Sequence, residues 1–192
     1  MAQIVTELLP QRFSTNVIRR AFKTNECFRH LINGLNMRTA TDDNERKCLE
    51  DVKNHGLHIM HVFEDEENPR FSYTVGLYEN YLHPEIIIIG LKHELAHLLL
   101  HNAAYDIKKG TSYTSGEFHE GILDDFLCYF GDVPRSYYEE YVGWALWFYE
   151  GRDFPLIQCV YPTVAGKFAW EKDFPGDARF YCQMLTDPPK EH

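Results

Sequence analysis

The sequence predicts an α+β fold: a mixed, largely antiparallel sheet with two main helices packed on it, plus an N-terminal helical extension. One observation is a pair of β-rich segments, residues 56–63 and 71–78, which flank an acidic turn and indicate an antiparallel hairpin. Another is that strand and helix patterns alternate only in part after this hairpin, which favours α+β over a doubly wound parallel fold. A chain of 192 residues is long enough for one domain with one hydrophobic core.

The pattern divides the chain into a helical extension at residues 1–50 and a single α+β domain at residues 51–192. Residues 15–33 predict an amphipathic helix whose apolar side chains share one face: Val17, Ile18, Phe22, Phe28, Leu31 and Ile32. Such a face needs a partner, so we expect the extension to pack on the domain, on a partner protein or on a second copy of the chain. Thr41 or Asp42 is expected to cap a short helix that follows.

Two strong patterns dominate the domain. Residues 85–91 contain four consecutive isoleucines, and so short a run of β-branched residues predicts a strand buried on both faces. A helix is expected from residue 92 to Gly110, because lysines in the last turn and a glycine after it are typical of a helix C-terminus. A second long helix is expected over residues 135–150, where aromatic residues recur at helical spacing: Tyr137, Tyr141, Trp144 and Phe148. The remaining segments are a polar loop or edge segment at 111–120 and strands at 126–130 and 154–161.

Composition restricts the function classes. The formal net charge of −10 opposes binding to a phosphate backbone, so nucleic acid is not an expected partner. No apolar run approaches the roughly 18 residues of a membrane helix, and residues 1–10 lack the pattern of a secretory leader. The five cysteines are scattered and form no C-x-x-C pair, which is typical of reduced thiols and predicts a cytoplasmic protein.

The most explicit chemical motif is His93-Glu94-Leu95-Ala96-His97, which matches the zinc-peptidase pattern H-E-x-x-H. Histidines four apart project from one helix face and can share a metal ion, and the glutamate then activates the metal-bound water. Here His93 falls in the first helical turn, where Glu94 also serves to complement the helix dipole. We therefore expect no metal, and the alternative is zinc held by His93 and His97 with Glu94 as the catalytic base.

A second group of histidines, His55, His58 and His61, belongs to the first predicted strand or lies just before it. Strand neighbours three apart point to opposite faces, so His58 and His61 are not expected to share a metal ion. Ordinary strand positions are the simpler interpretation.

Six short blocks in order resemble one family: HG at 55–56, FSYTVGL at 71–77, HPE at 83–85, IIGL at 88–91, LIQCVYP at 156–162 and GKFAWE at 166–171. Together they resemble the bacterial domain of unknown function family numbered 4262, over residues 50–186. The chain departs from the family pattern at two positions. Thr163 stands where the family usually has an aspartate, and Ala169 where it usually has a proline. If the family aspartate takes part in catalysis, this protein lacks that catalytic carboxylate.

The resemblance implies site residues but no activity. His83, Glu85 and Glu171 have no obvious packing duty, so they are the candidate catalytic residues, and Tyr73, Gln158 and Trp170 are candidate ligand-binding residues. A small pocket is expected beside the HPE and GKFAWE segments. The leading hypothesis is a cytoplasmic bacterial binding or interaction module with no cofactor and a protein partner. The alternatives are a zinc-dependent hydrolase and a metal-independent enzyme acting on a small molecule.

Overall fold

A computed structural model describes residues 38–123 and 126–190 of the chain. Six strands of this part form one sheet in the order β1-β2-β3-β6-β5-β4. The strands are β1 His58–Val62, β2 Phe71–Val75, β3 Glu85–Ile89, β4 Glu117–Leu123, β5 Phe126–Asp132 and β6 Leu156–Val160. The helices are α1 Asp43–His55, α2 Leu77–Tyr81, α3 His93–Lys108, α4 Tyr138–Tyr141 and α5 Gly143–Phe148, with 3₁₀ turns at Arg135–Tyr137 and Gly176–Ala178.

The strand pairing is mixed and largely antiparallel. β1 and β2 form the predicted hairpin, in which His58 pairs with Val75 and Val62 with Phe71. The central strands β3 and β6 are parallel, whereas β2–β3, β5–β6 and β4–β5 are antiparallel. The predicted α+β fold with helices packed on a mixed sheet is therefore confirmed.

The four isoleucines of β3 separate two hydrophobic clusters. Ile86 and Ile88 pack with α3 on one face of the sheet. Ile87 and Ile89 pack on the other face with α1, α4 and α5. All five β3 residues are buried, as the isoleucine run predicts. Helix α3 begins at His93, so the first histidine of the H-E-x-x-H motif does lie in the first helical turn.

One predicted strand is wrong in extent. The strand expected over residues 71–78 ends at Val75, because Gly76 turns the chain at φ +109° into α2. Gly76 suits this position because it has no Cβ to oppose positive φ. Residues 117–120, expected in a polar loop or edge segment, belong to the edge strand β4, in agreement with the second alternative.

The helix expected over residues 135–150 is also wrong, since it is divided into a 3₁₀ turn, α4 and α5. Val142 leaves the helical region at φ −128° and ψ 44°. Val142 and Gly143 both have low helix propensity, which accounts for a break at this point. Tyr141 and Phe148 of the predicted stripe are buried, whereas Tyr137 and Trp144 are half-buried. Tyr138, Val142 and Ala145 complete the buried face.

The N-terminal extension falls mostly outside the described residues, including its predicted helix over 15–33. Helix α1 begins after Asp42, whose carboxylate accepts a hydrogen bond from Glu45 N at 2.8 Å, and it runs past residue 50 to His55. Cys48 and Val52 of α1 are buried against the sheet. The division at residue 50 stays a prediction. Within the described residues, no helix combines the length and the apolar character needed to cross a membrane.

Candidate functional site

Glu85, at the start of β3, is fully buried and accepts four hydrogen bonds. Its carboxylate accepts from Thr74 Oγ1 at 2.6 Å, from Gly76 N at 2.9 Å and from Tyr78 N at 3.1 Å. A further bond comes from the Tyr149 hydroxyl. Burial raises the pKa of Glu85 to about 7, against the lowering effect of these donors. The carboxylate thereby joins β2, the turn before α2 and α5.

His83, in the loop before β3, is also buried, and both of its ring nitrogens have partners. Nε2 accepts a hydrogen bond from Tyr113 N at 3.0 Å, so the ring proton lies on Nδ1, which donates to the Pro84 carbonyl at 2.7 Å. Burial lowers the pKa of His83, which favours this neutral form. His83 packs against Tyr113 on the α3 side of the sheet, whereas Glu85 faces α5, so the two candidates do not converge.

Two of the candidate ligand-binding residues also have internal partners. The Tyr73 hydroxyl accepts a hydrogen bond from Trp144 N at 3.2 Å. Gln158 Nε2 donates to the Gln183 carbonyl at 2.7 Å, and its Oε1 accepts from Leu185 N at 2.7 Å. Both side chains hold neighbouring backbone in place.

Glu171 closes the loop that carries the GKFAWE segment. Its carboxylate accepts from Phe168 N at 2.9 Å and from Lys167 Nζ at 3.0 Å. These two contacts hold the pKa of Glu171 below its usual range. In the same loop, Thr163 Oγ1 accepts from Lys167 N at 3.2 Å. An aspartate carboxylate can make the same contact, so the departure at residue 163 is compatible with a structural role for that position.

Trp170 belongs to a group of four aromatic rings on the β4–β5 end of the sheet, here called the aromatic cluster: Phe118, Tyr129, Phe168 and Trp170. Trp170 stacks on Phe168 with a centroid distance of 4.4 Å, and its ring lies 5.4 Å from that of Tyr129. Phe118 is 43% exposed. The cluster therefore presents aromatic surface to solvent at this end of the sheet.

A cavity of about 740 Å³ lies beside the aromatic cluster, between β4, β5 and residues 183–190, here called the C-terminal segment. It is lined by Ser115, Gly116, Glu117, Phe118, Tyr129, Asp132, Thr186, Asp187, Pro188, Pro189 and Lys190. Burial raises the pKa of Tyr129, and the nearby carboxylates of Asp132 and Asp187 raise it further. This volume falls in the range of ligand pockets, roughly 300–1,000 Å³.

A comparison with known families bears on these residues. A family model described as a domain of unknown function (DUF4262) matches residues 51–175, which is more than half of the chain. The chain belongs to this family. No curated protein and no solved structure matches it.

Of the candidate residues taken from the DUF4262 resemblance, Trp170 contacts two side chains of the cavity lining, Phe118 and Tyr129, and Gln158 holds the C-terminal segment that forms one wall. His83 and Glu85 lie elsewhere. The carboxylates of Asp132 and Asp187 are functional candidates that sequence reasoning missed. They belong to a strand end and to the C-terminal segment, and no spacing pattern links two such residues before the topology is known.

In this DUF4262 member, the two histidines of the H-E-x-x-H motif lie close to His61, because β1 lies beside the start of α3. His61 Nε2 and His97 Nδ1 are 3.2 Å apart, and the His61 and His93 ring centroids are 5.0 Å apart. Burial, followed by the charges that His93 and His97 carry when protonated, lowers the pKa of His61. Within the described residues, no group of three histidine, cysteine, aspartate or glutamate side chains converges on a metal position. Glu94 is exposed and borders a smaller cavity of about 280 Å³ beside His93.

Proposed function

We propose that this protein is a binding module that captures an extended, basic segment of a partner protein in the cavity beside the aromatic cluster. The observation that carries the proposal is one cavity that combines aromatic rings with three carboxylates, those of Glu117, Asp132 and Asp187. Lysine and arginine side chains combine a cation with a long apolar stem. They are therefore stabilised by carboxylates and by the faces of aromatic rings.

The charge of the cavity favours a cationic occupant. Lys190 is the single basic residue of the lining, against the three carboxylates. Within the described part of the chain, neither Asp132 nor Asp187 forms an ion pair with a basic side chain. The net charge of −10 adds a long-range attraction for a basic partner and opposes nucleic acid.

The position of the cavity favours an extended occupant. β4 is the last strand in the sheet order, and Glu117 and Phe118 belong both to this strand and to the cavity lining. An edge strand offers backbone N–H and C=O groups to a peptide in β conformation, and nearby pockets then select its side chains. A peptide that pairs with the backbone of β4 would therefore place its side chains next to the cavity.

The enzyme alternatives have less support. His83 and Glu85 lie in the interior with their polar atoms hydrogen-bonded, and neither borders a described cavity. Among the described residues, Cys128, Cys159 and Cys182 form no disulfide bond, which supports placing the protein in a reducing cytoplasm.

Fluorescence anisotropy tests the proposal. A short fluorescein-labelled peptide of alternating lysine and valine is titrated with the full chain, in parallel with a peptide of alternating glutamate and valine. We expect the lysine peptide to bind and the glutamate peptide not to bind. Replacing both Asp132 and Asp187 by asparagine should weaken binding about tenfold, because each exposed ion pair contributes up to about 1 kcal/mol.

The matched control changes the net charge equally at a distance from the cavity. Glu66→Gln with Asp177→Asn also removes two exposed carboxylates, neither of which lines the cavity. This variant should keep nearly the original affinity. An equal loss in both double variants, or equal binding of the two peptides, would contradict the proposed site.

A further inference from the structure

The three histidines His61, His93 and His97 belong to two separate sequence motifs that the fold brings together. His61 stands on β1, and the other two stand on the first turns of α3. The ring centroids of His61 and His97 are 5.5 Å apart. This group lies at the β1 edge of the sheet, opposite the β4 edge that borders the cavity.

The closest contact in the group joins two ring nitrogens. His61 Nε2 and His97 Nδ1 are 3.2 Å apart. Two imidazole nitrogens bound to one tetrahedral metal ion at about 2.0–2.1 Å lie about 3.3 Å from each other. In the structure this contact is a hydrogen bond between the two rings, and its length matches the separation of two metal ligands, so a bound ion would take the place of the proton that the nitrogens share.

The surroundings of His61 are those of a metal ligand. His61 Nδ1 is 2.7 Å from the Oγ of Ser72, a fully buried residue of β2. Metal-bound histidines usually donate the other ring N–H to an acceptor of this kind, which fixes the ring and directs the free nitrogen at the metal. His97 is exposed, so further coordination positions are open to water.

We propose that His61 Nε2 and His97 Nδ1 bind a divalent transition metal ion, with water completing its coordination. This site is separate from the cavity and goes beyond the proposed function. His93 is not a ligand of the pair, because its Nε2 lies 3.1 Å from the Val62 carbonyl and its ring packs against Phe63. Two imidazole donors suit Cu²⁺ best, followed by Ni²⁺ and Zn²⁺, in line with the general order of affinities.

Metal titration of the full chain, prepared without a histidine tag, tests this assignment. Calorimetry with Cu²⁺ and with Zn²⁺ should give one ion per chain, with Cu²⁺ bound more tightly. Electron paramagnetic resonance of the Cu²⁺ form should show nitrogen ligands. His61→Ala and His97→Ala should each weaken Cu²⁺ binding about tenfold or more, and Ser72→Ala should weaken it about tenfold at most.

His101 and His93 provide the controls, since each lies four residues from His97 on α3. The His101 ring stacks on His97 at 6.4 Å between centroids, but no close nitrogen contact joins it to His61. His101→Ala and His93→Ala should each keep Cu²⁺ affinity within about twofold. A loss in either control with unchanged binding in His61→Ala would place the ion along the helix and overturn the assignment. An unmodified chain that binds neither ion would overturn it as well.

Thermal unfolding without metal shows whether each variant is folded. If His61→Ala does not fold, the comparison of His97→Ala with the two controls decides, because His97 is exposed and its replacement removes no core packing. A loss of Cu²⁺ affinity in His97→Ala but not in the two controls supports binding by His61 and His97. A loss shared with His93→Ala or His101→Ala overturns it.

Discussion

At the scale of single residues, most of the polar side chains that the family resemblance identifies form hydrogen bonds that hold the backbone of neighbouring segments in place. Glu85 receives donors from three separate segments, and Gln158 makes two bonds to the C-terminal segment. A buried polar group costs free energy unless it is hydrogen-bonded, so these positions tolerate few alternatives. A polar residue can therefore mark a family without touching a ligand.

Replacing Glu85 by alanine should lower the free energy of unfolding by about 3 kcal/mol or more, because the donors that converge on the carboxylate would be left buried without an acceptor. Urea denaturation measures this loss. Glu171→Ala is the control, since Glu171 lies in a surface turn where water replaces the lost contacts, and its removal should lower the stability far less than Glu85→Ala does. Equal losses would show that the Glu85 network contributes little.

The pKa of Glu85 also predicts a pH dependence. Because burial raises its pKa from 4.5 to about 7, the folded chain binds this proton more tightly than the unfolded chain. The resulting stabilisation is complete below pH 4.5 and is lost as pH rises to about 7. Relative to Glu85→Gln, the free energy of unfolding should fall by about 3 kcal/mol over this interval and then stay constant. A difference that is flat with pH would contradict the raised pKa.

At the scale of elements, the C-terminal segment forms one wall of the cavity by packing on β5 and β6. Leu185 is buried, and its N–H donates to Gln158. A Cβ added to Gly131 would lie 2.0 Å from Thr186 Oγ1, so the glycine lets the segment approach β5 closely. One wall of the cavity therefore depends on contacts made by β5 and β6.

Gln158→Leu should loosen this segment. The leucine is of similar size but offers no partner to Leu185 N–H or to the Gln183 carbonyl, so stability should fall by about 2 kcal/mol. Amide hydrogen exchange at Leu185 should accelerate by more than about tenfold. Tyr138→Phe serves as the control, because it removes a buried hydroxyl that donates to the Phe154 carbonyl and leaves both Gln158 bonds to the segment intact. Unchanged exchange at Leu185 in Gln158→Leu would mean that other contacts hold the segment.

At the scale of the whole molecule, the sheet separates three kinds of polar site. The buried side chains of Glu85 and Gln158 form hydrogen bonds at its centre. The histidine group lies at the β1 edge, and the acidic cavity lies at the β4 edge. Loss of one edge site by mutation is therefore expected to leave the other unchanged, because they share no residues.

Salt should weaken binding of the lysine–valine peptide. The net charge of −10 and the cavity carboxylates act partly through long-range attraction, which is screened as the Debye length falls from about 10 Å at 0.1 M to about 3 Å at 1 M. Raising NaCl across this range should increase the dissociation constant about tenfold in the anisotropy assay. An affinity independent of salt would indicate that apolar contacts alone hold the peptide.

Sequence reasoning predicted the fold well where the periodic signal was strong. The isoleucine strand, the hairpin and helix α3 are recognisable because their patterns are long or have distinct ends. The helix over 135–150 was wrong because aromatic spacing alone does not reveal the break at Val142. The candidate sites are harder to predict from sequence. The contacts of Trp170 with Tyr129 and of His61 with His97 arise only once the order of the strands in the sheet is fixed. Strand order depends on long-range pairing that no local pattern encodes.

The parallel pairing of β3 with β6 has a consequence for how the chain folds. Both hairpins, β1–β2 and β4–β5, join neighbours in sequence, whereas Glu85 pairs with Leu156 across α3, the β4–β5 hairpin, α4 and α5. Closing so large a loop costs entropy before any contact compensates for it. The β3–β6 pairing is thus the slowest part of the sheet to assemble, and until that step one edge of the isoleucine strand is unpaired and open to self-association.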